Sequence, residues 1–346
     1  MGFRPPRDVR DVLQMFSLYD KAKGIQHVLR QFNLDKARFD ALRTAVLGEG
    51  SAEFPAEDGA TGSAYMEALL KSGAFREAIL SSVLHSYPDK RRLIFVHIPK
   101  CAGSDLENVL SKRYRAINGD LQRAAFSIDV VFNQLRDLVL AAPFVDTFFI
   151  RGHVPLPTYV DQKLIRPSDE IFTVIRDPYS LVISHVNYRL TRLLADPTGK
   201  RVDAAQWLNR LGLKELPEGL SDDELLALGK KMLHDARMIP ATTLCRLLGH
   251  GTTESAMEMI AASDIEITDT ARYDTWLQDR WKVPRSPHTN ESRKFLTAST
   301  LDARDKQAIA DMTAEDRKLF EKVRDALDRS GKSSIRGREL LVPVAA

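Results

Sequence analysis

Residues 93–104 read LIFVHIPKCAGS, and this stretch decides the predicted fold. The first six residues, 93–98, are mostly apolar, which is typical of a strand buried on both faces of a sheet. Residues 99–104 predict a turn of small residues, and residues 105–114 then carry apolar side chains on one helical face. A strand, a small-residue loop and a helix form the unit with which α/β proteins bind phosphate.

Two further segments repeat this order of strand followed by helix. Residues 147–150 predict a second strand, and residues 171–175 predict a third. After the third strand, Asp177 is a candidate N-cap and Pro178 a favourable first-turn residue of the next helix. Residues 265–267 predict one more short strand. Strands that alternate with helices favour an α/β fold with a central parallel sheet flanked by helices.

The sequence predicts three parts along the chain. Residues 1–90 predict an N-terminal helical extension, with a linker or loop at 48–63 that is rich in Gly, Ala, Ser and acidic residues. Residues 91–330 predict the main domain, which ends in an amphipathic helix that Thr313 starts through a capping box. We expect the tail, residues 331–346, to fray.

Composition narrows the class of protein. The chain has 346 residues, of which 44% are hydrophobic and 28% charged, so collagen-like, disulfide-scaffold and wholly disordered proteins are excluded. A net charge of +3 is too balanced for a protein that coats nucleic acid. No apolar run approaches the ~18 residues of a membrane span. We therefore predict a soluble, cytoplasmic protein without a nucleic-acid partner, and leave peripheral contact with a membrane surface open.

Known phosphate-binding loops can be compared with residues 99–104. A Walker A loop has its lysine after the second glycine and before Ser or Thr, whereas Lys100 precedes the small residues. A phosphatase loop built on Cys101 would need an arginine at the position of Glu107. What remains is a loop whose amides, with Lys100 and Ser104, wrap a phosphate at a helix N-terminus. A tight turn with an exposed lysine is an equal alternative.

A second candidate anion site follows the third predicted strand. Arg176 lies where that strand ends, and the carboxyl edge of a parallel sheet is a ligand-binding position. Ser184 follows two helical turns later, near enough to the same face to bind the same anion. Taken alone, Arg176 is better explained by a surface salt bridge with a nearby acidic residue.

Together, the two motifs resemble the sulfotransferase superfamily that uses 3′-phosphoadenosine 5′-phosphosulfate (PAPS), and in particular its carbohydrate (family 2-like) branch. The first motif of that branch, HIPKTAGTS, matches residues 97–105, and the second, RDPxxRxxS, matches residues 176–184. The resemblance covers residues 92–192 well, the C-terminal part in outline, and residues 1–90 not at all. It implies a P-loop-like sulfotransferase fold, PAPS as co-substrate and adenosine 3′,5′-bisphosphate as product.

The resemblance also implies which residues bind the cofactor. These are Lys100, Cys101, Ala102, Gly103, Ser104 and Asp105 in the loop, and Arg176, Ser184 and Arg293 around the 3′-phosphate. Arg293 belongs to the set because the family places a loop similar to residues 288–294 over that phosphate, although an exposed basic loop is the alternative.

Three residues depart from the family pattern and bring cofactor affinity into question. Cys101 replaces a threonine, Asp105 replaces Ser or Thr, and Leu181 replaces an arginine. Since an acidic side chain would repel a phosphosulfate, we expect Asp105 to point away from the loop or to cap the helix.

The resemblance implies catalytic roles for His153 and Lys100. In this branch the strand after the first βα unit often ends in Gly-His, and that histidine is the catalytic base; His153 holds this position. Lys100 is expected to stabilise charge on the bridging oxygen. Of the other candidates, we expect His97 to be structural, His185 to point elsewhere on its helix, and Glu107 to be a weaker candidate base.

The leading functional hypothesis is a PAPS-dependent sulfotransferase that moves a sulfuryl group in line onto a hydroxyl of a glycan or glycolipid. The sequence has no metal-ligand spacing, so the predicted reaction is metal-independent. A nucleotide-binding phosphotransferase of related fold is one alternative. A catalytically degenerate module that binds adenosine 3′,5′-bisphosphate is the other, and Cys101, Asp105 and Leu181 argue for it.

Overall fold

The computed structural model describes residues 90–114, 116–118, 147–161, 165–235, 238–239, 242–283 and 293–341. The predicted N-terminal helices and the loop at 48–63 lie outside these residues. The chain divides into two compact units, Met1–Arg91 with Ile117–Phe148 and Arg92–Ala116 with Phe149–Ala346. The candidate site described below belongs to the second unit.

The described residues form strands and helices in alternation. The strands are β1 (Arg91–Val96), β2 (Ala116–Asn118), β3 (Thr147–Gly152), β4 (Glu170–Ile175), β5 (Glu266–Asp269) and β6 (Ile335–Arg336). The α-helices are α1 (Gly103–Arg113), α2 (Leu156–Asp161), α3 (Pro178–Ala195), α4 (Val202–Leu211), α5 (Asp222–Leu233), α6 (Thr243–Leu248), α7 (Thr253–Ser263), α8 (Tyr273–Trp281), α9 (Ala303–Met312) and α10 (Ala314–Ser330). Within the described part of the chain, none of these helices has the length and apolar character needed to cross a membrane.

The strands form one sheet in the order β2-β3-β1-β4-β5-β6. β1 pairs with β4 in parallel, with Phe95 opposite Phe172, and β4 pairs with β5 in parallel, with Ile175 opposite Asp269. β6 pairs with β5 in the antiparallel direction. The protein is therefore α/β with a mostly parallel central sheet, in agreement with the predicted class except at the β6 edge.

The central strands are mostly apolar because both of their faces are covered. After its exposed first residue, every residue of β1 is buried, and so is every residue of β4 after Glu170. Phe172 lies at the middle of the aromatic core, with its ring centroid 5.6 Å from Phe95, 6.0 Å from Trp276 and 5.8 Å from Trp281. These rings anchor helix α8 against the sheet.

The strands that follow β1 in the chain are added first on one side of it and then on the other. β3, which follows β1 and β2 in the chain, lies on one side of β1, and β4 lies on the other side. Such a topological switch point opens a crevice outside the carboxyl ends of the strands, where open α/β sheets bind their ligands. The loop after β1 and the turn after β4 both lie at this edge.

Helix α3 begins as the sequence predicts. The Asp177 carboxylate accepts a hydrogen bond from the Ser180 amide at 2.8 Å, and Pro178 occupies the first turn. Further along α3, the Asn187 side chain accepts from the amides of Phe295 and Leu296 and donates to the Leu296 carbonyl. Asn187 therefore fixes the segment after residue 293 against the helix that follows β4.

Two predictions about the C-terminal region are wrong. Thr313 makes no capping hydrogen bond to α10, because its hydroxyl donates to the Ile309 carbonyl of the preceding helix. The frayed tail is wrong for residues 331–341, since β6 pairs with β5 and a 3-10 helix follows at Gly337–Leu341. Gly337 packs so closely that a Cβ there would lie 2.0 Å from the Ile260 carbonyl oxygen.

A buried ion pair joins the first residues of β1 to the segment that enters β4. The Arg92 guanidinium donates to both carboxylate oxygens of Asp169, and the Arg166 backbone amide donates to the same carboxylate at 2.8 Å. The side chains of Arg92 and Asp169 are 2% and 0% exposed. Because both side chains are buried, removing either one would leave the other as an uncompensated buried charge.

We expect Asp169→Asn to lower the free energy of unfolding by about 3–5 kcal/mol, since it leaves the Arg92 charge buried without its counter-charge. Urea denaturation measures the loss. The control is Asp203→Asn, whose half-exposed carboxylate lies 3.9 Å from Arg192 and should cost less than about 1 kcal/mol. Equal losses in the two variants would contradict this account of the β1–β4 connection.

Candidate functional site

Three strands bring the candidate residues to one edge of the sheet. Lys100 follows β1, His153 follows β3 and Arg176 follows β4, and these strands are neighbours in the order β3-β1-β4. The His97 amide donates to the Gly152 carbonyl at 2.9 Å, which joins the ends of β1 and β3. The predicted adjacency of the strands that carry Lys100 and His153 is therefore confirmed.

The loop after β1 alternates in backbone handedness. φ is +68° at Lys100 and +59° at Ala102, whereas Cys101 and Gly103 do not have positive φ. Left-handed conformations at two non-glycine residues cost on the order of 1–3 kcal/mol each. Alternation of this kind turns successive amides toward one point and forms an anion-binding concavity. The strain is therefore located where an anion would be held.

The amides of this loop are available for a ligand. Within the part of the chain that the structure describes, the amides of Lys100, Ala102, Gly103 and Ser104 donate to no protein acceptor. Ala102 is the N-cap of α1 and supplies no capping side chain. The positive end of the helix dipole therefore faces the loop without a side-chain partner.

Glycine is required at position 103 because the His97 ring occupies the space next to it. A Cβ at Gly103 would lie 1.8 Å from His97 Nε2 and 2.1 Å from Cδ2. The His97 ring also stacks on Phe95, with centroids 5.2 Å apart. The His97 ring thus supports the loop after β1 and the first turn of α1, which agrees with the structural role expected for it.

Two cations lie at the loop. The Arg176 guanidinium donates to the Lys100 carbonyl at 3.3 Å, so the turn after β4 holds the backbone of the loop after β1. The Lys100 ammonium lies 4.4 Å from the centroid of the Tyr188 ring, a cation–π distance. Burial and the Arg176 charge lower the pKa of Lys100 below its ordinary range. An anion bound between these cations would relieve their mutual repulsion.

The three departures from the family pattern have structural explanations. Cys101 is fully buried, and burial raises the pKa of its thiol to about 12, so it acts as a small apolar residue. Asp105 turns away from the loop, as expected, and its carboxylate accepts a hydrogen bond from the Tyr273 hydroxyl at 3.1 Å. Burial, followed by the charge of Asp105, raises the pKa of Tyr273. Leu181 is buried in the protein core.

The hydrogen bonds of His153 define which ring nitrogen can act as a base. His153 Nδ1 lies 2.7 Å from the His97 carbonyl oxygen. Because a carbonyl only accepts, Nδ1 must carry the proton, and the neutral ring then has its lone pair on Nε2. The rings of His153 and His97 also pack with centroids 4.3 Å apart. This geometry assigns the tautomer that a general base at His153 requires.

Glu107 joins the elements that carry the two histidines. One of its carboxylate oxygens lies 3.0 Å from His97 Nδ1, and the other accepts a hydrogen bond from the Arg151 guanidinium. Burial raises the pKa of Glu107, but the His97 hydrogen bond and the charges of His97, Arg151 and His153 outweigh it and lower the pKa overall. Glu107 is therefore a carboxylate that braces the site, which disfavours it as the base.

Ser184 and Arg293 differ in what surrounds them. Ser184 is half-buried on α3, eight residues after Arg176 as the second motif requires. Arg293 is 60% exposed, donates to the Asp222 carboxylate and lies 5.0 Å over the Phe295 ring. No contact among the described residues joins Arg293 to Lys100 or Arg176, so its role toward the 3′-phosphate stays a prediction.

Helix α3 also carries a buried histidine on which the charges of the site act. His185 is buried, and burial together with the charges of Arg189, Lys100, His153 and Arg176 lowers its pKa to about 3. No contact among the described residues joins His185 to Lys100 or Arg176, so the expectation that it points elsewhere on its helix stays a prediction.

No family model matches the chain, and no curated protein matches it in sequence. Among the described residues there is also no group of three His, Cys, Asp or Glu side chains arranged to hold a metal ion. The function is therefore inferred from the motifs of the site and from its geometry.

The Glu107 carboxylate predicts a specific dependence of stability on pH. Its folded-state pKa lies below its unfolded-state pKa, so it stabilises the fold above the unfolded value and loses this effect as the pH falls through the folded one. We expect Glu107→Gln to cost about 1–3 kcal/mol at pH 7. The difference from the wild type should shrink between about pH 5 and pH 3. Urea denaturation at several pH values measures it, and a difference independent of pH would contradict the assignment.

Proposed function

We propose that this chain is a PAPS-dependent sulfotransferase with a P-loop-like sulfotransferase fold, acting on a hydroxyl of a glycan or glycolipid. The geometry of the loop at residues 99–104 carries the proposal. Its backbone alternates in handedness, and several of its N–H groups make no hydrogen bond to protein within the described residues. Its Lys100 carbonyl accepts a hydrogen bond from Arg176. The two motifs that resemble the superfamily thus meet at the switch point of the sheet.

The loop fits the 5′-phosphate of the nucleotide. The amides of Ala102, Gly103 and Ser104 and the dipole of α1 provide donors for its oxygens without adding a full charge. Lys100 supplies the full positive charge that would stabilise the oxygen left on the phosphate as transfer proceeds. The thiol of Cys101 and the carboxylate of Asp105 face the protein interior, so neither opposes phosphate binding.

Arg176 and Ser184 are the proposed ligands of the 3′-phosphate. Arg176 offers a guanidinium fork suited to phosphate oxygens, and its contact with the Lys100 carbonyl uses only Nη1. Ser184 adds a hydroxyl from α3, and Arg293 is retained as a third proposed ligand that would have to exchange Asp222 for phosphate. The loss of the family arginine at Leu181 makes Arg176 the principal charge.

His153 is the proposed catalytic base. Its Nε2 would take the proton of the acceptor hydroxyl while the acceptor oxygen bonds to sulfur and the bond from sulfur to the phosphate oxygen breaks. The His97 carbonyl keeps the Nδ1 proton in place and stabilises the imidazolium that results. PAPS supplies the activated sulfuryl group when it is bound. Both cysteines are unpaired thiols, which fits the proposed cytoplasmic compartment.

Nucleotide binding distinguishes this proposal from its alternatives. We expect adenosine 3′,5′-bisphosphate to raise the melting temperature most in a panel with AMP, ATP and GTP, the stabilisation being about 2.7 kcal/mol at a ligand concentration 100 times Kd. Arg176→Ala should weaken bisphosphate binding by about 2–5 kcal/mol and remove its advantage over AMP. Arg192→Ala, on the helix that follows Arg176, is the control. A larger effect of ATP or GTP would favour a phosphotransferase.

Turnover distinguishes an active enzyme from a degenerate binding module. We expect His153→Ala to reduce sulfuryl transfer from labelled PAPS by about 10²–10⁴-fold, the usual contribution of a general base, and to leave bisphosphate binding nearly intact. His234→Ala, which removes a histidine bound to Asp305 on another helix, is the control. Loss of nucleotide binding in His153→Ala would mean that His153 is structural, and a wild type that binds but does not transfer would favour the degenerate module.

A further inference from the structure

The Lys100 ammonium differs from those of several other lysines in what holds it. Carboxylates bind the ammonium groups of Lys230, Lys318 and Lys332. Lys100 makes no ion pair within the described part of the chain, and its ammonium lies 4.4 Å from the centroid of the Tyr188 ring. A neutral aromatic side chain on α3 therefore holds the charge that follows β1.

An aromatic partner leaves the charge of Lys100 free to act on a ligand. A carboxylate at that place would neutralise the ammonium and compete with a phosphate for it, whereas the negative face of a ring attracts the ammonium without carrying a net charge. Asp105, the acidic residue nearest to Lys100 in sequence, binds the Tyr273 hydroxyl instead. The loop after β1 therefore keeps a full positive charge beside amides that make no hydrogen bond to described protein groups.

The other groups that act on Lys100 mostly disfavour its charged form. Burial, followed by the charge of Arg176, lowers the pKa of Lys100, and the neighbouring Cys101 thiol opposes this effect. The charge of Lys100 in turn helps to keep His185 on α3 neutral. Since the Tyr188 ring attracts the protonated ammonium, it counteracts both burial and the repulsion from Arg176.

Helix α3 places Tyr188 on the face that carries Ser184, because residues four apart on an α-helix lie on one face. Tyr188 is partly buried, and its ring centroid is also 5.9 Å from the Arg192 guanidinium, near the limit of a cation–π contact. Arg192 has a second partner in Asp203, 3.9 Å away. Lys100 is therefore the closer of the two cations at this ring.

We propose that Tyr188 is a positioning residue for Lys100, whose ammonium its ring holds at the loop, protonated and ready to bind an oxygen of the 5′-phosphate from its other side. This inference rests on the proposed function, which assigns the 5′-phosphate to the loop. Ordering a lysine side chain costs free energy when a ligand binds, and a side chain that is already held avoids part of that cost. Because the ring and not the hydroxyl makes the contact, phenylalanine should replace Tyr188 without loss.

Acylation of Lys100 tests the contact without any substrate. The full chain is treated with trace deuterated acetic anhydride between about pH 7 and pH 11, and mass spectrometry measures the labelling of each lysine. Only the neutral amine reacts, so loss of the ring in Tyr188→Leu should lower the pKa of Lys100. Labelling below that pKa should rise about 2- to 5-fold, the scale of one cation–π contact. The rates should converge at high pH, where the amine is neutral in both proteins.

Matched controls separate the contact from packing. Tyr188→Phe keeps the ring and should label Lys100 as the wild type does. Lys332, which is bound to Glu339, is the internal reference and should react equally in every variant. Replacing Tyr188 with phenylalanines that carry an increasing number of fluorines keeps the shape of the ring and weakens its negative face, so labelling of Lys100 should rise along the series. This series decides the question even where Tyr188→Leu is not folded.

A double-mutant cycle then tests the role in phosphate binding. Calorimetry compares adenosine 3′,5′-bisphosphate with adenosine 3′-monophosphate, which lacks the 5′-phosphate. We expect Tyr188→Leu to weaken binding of the bisphosphate about 2- to 10-fold, the scale of ordering one long side chain, and to leave binding of the monophosphate unchanged. In a Lys100→Met background, Tyr188→Leu should have no further effect, because the two residues act through one contact.

Several results would overturn the role of Tyr188. These are unchanged labelling of Lys100 along the fluorinated series, a Tyr188→Phe variant that behaves as Tyr188→Leu does, additive losses in the cycle, and equal weakening of both nucleotides. A wild type that does not prefer the bisphosphate to adenosine 3′-monophosphate rejects the proposed function, and the role in phosphate binding is rejected with it. A wild type that has this preference but shows additive losses rejects the role of Tyr188 alone, so the two failures are distinguishable.

Discussion

The contact between the His97 ring and the backbone of Gly103 is the constraint on which the site depends. The ring fills the volume that a Cβ at residue 103 would need, so β1, the loop and the first turn of α1 pack as one piece. The backbone carbonyl of the same histidine accepts a hydrogen bond from His153 Nδ1, and its ring binds Glu107. A single residue at the end of β1 therefore links the loop, the proposed base and the carboxylate that braces them.

Around this support, the charges are divided by sign. Lys100 and Arg176 lie at the loop, whereas the Glu107 carboxylate binds His97 and Arg151. Asp105, the acidic residue closest in sequence to the loop, is directed into the protein toward Tyr273. This separation produces a positive region that is stable only because the sheet and its helices hold it, and it is suited to ligands with more than one negative charge.

The structure explains two of the residues that depart from the family motif, because both are buried in the core. A threonine replaced by Cys101 would suggest a weakened phosphate loop, but position 101 faces the core and its side chain is fully buried. The arginine replaced by Leu181 is likewise a core position in this chain. Neither side chain is therefore exposed at the loop.

The sequence alone determined the alternation of strands and helices, the N-cap at Asp177 and the motif residues at the carboxyl ends of β1, β3 and β4. These features are local, because apolar periodicity, capping chemistry and loop composition act over a few residues. Only the tertiary structure decided that β6 pairs with β5, that Glu107 binds both His97 and Arg151, and that the Lys100 ammonium lies over the Tyr188 ring. These depend on which element packs against which, and burial and long-range charge arise only after that packing is complete.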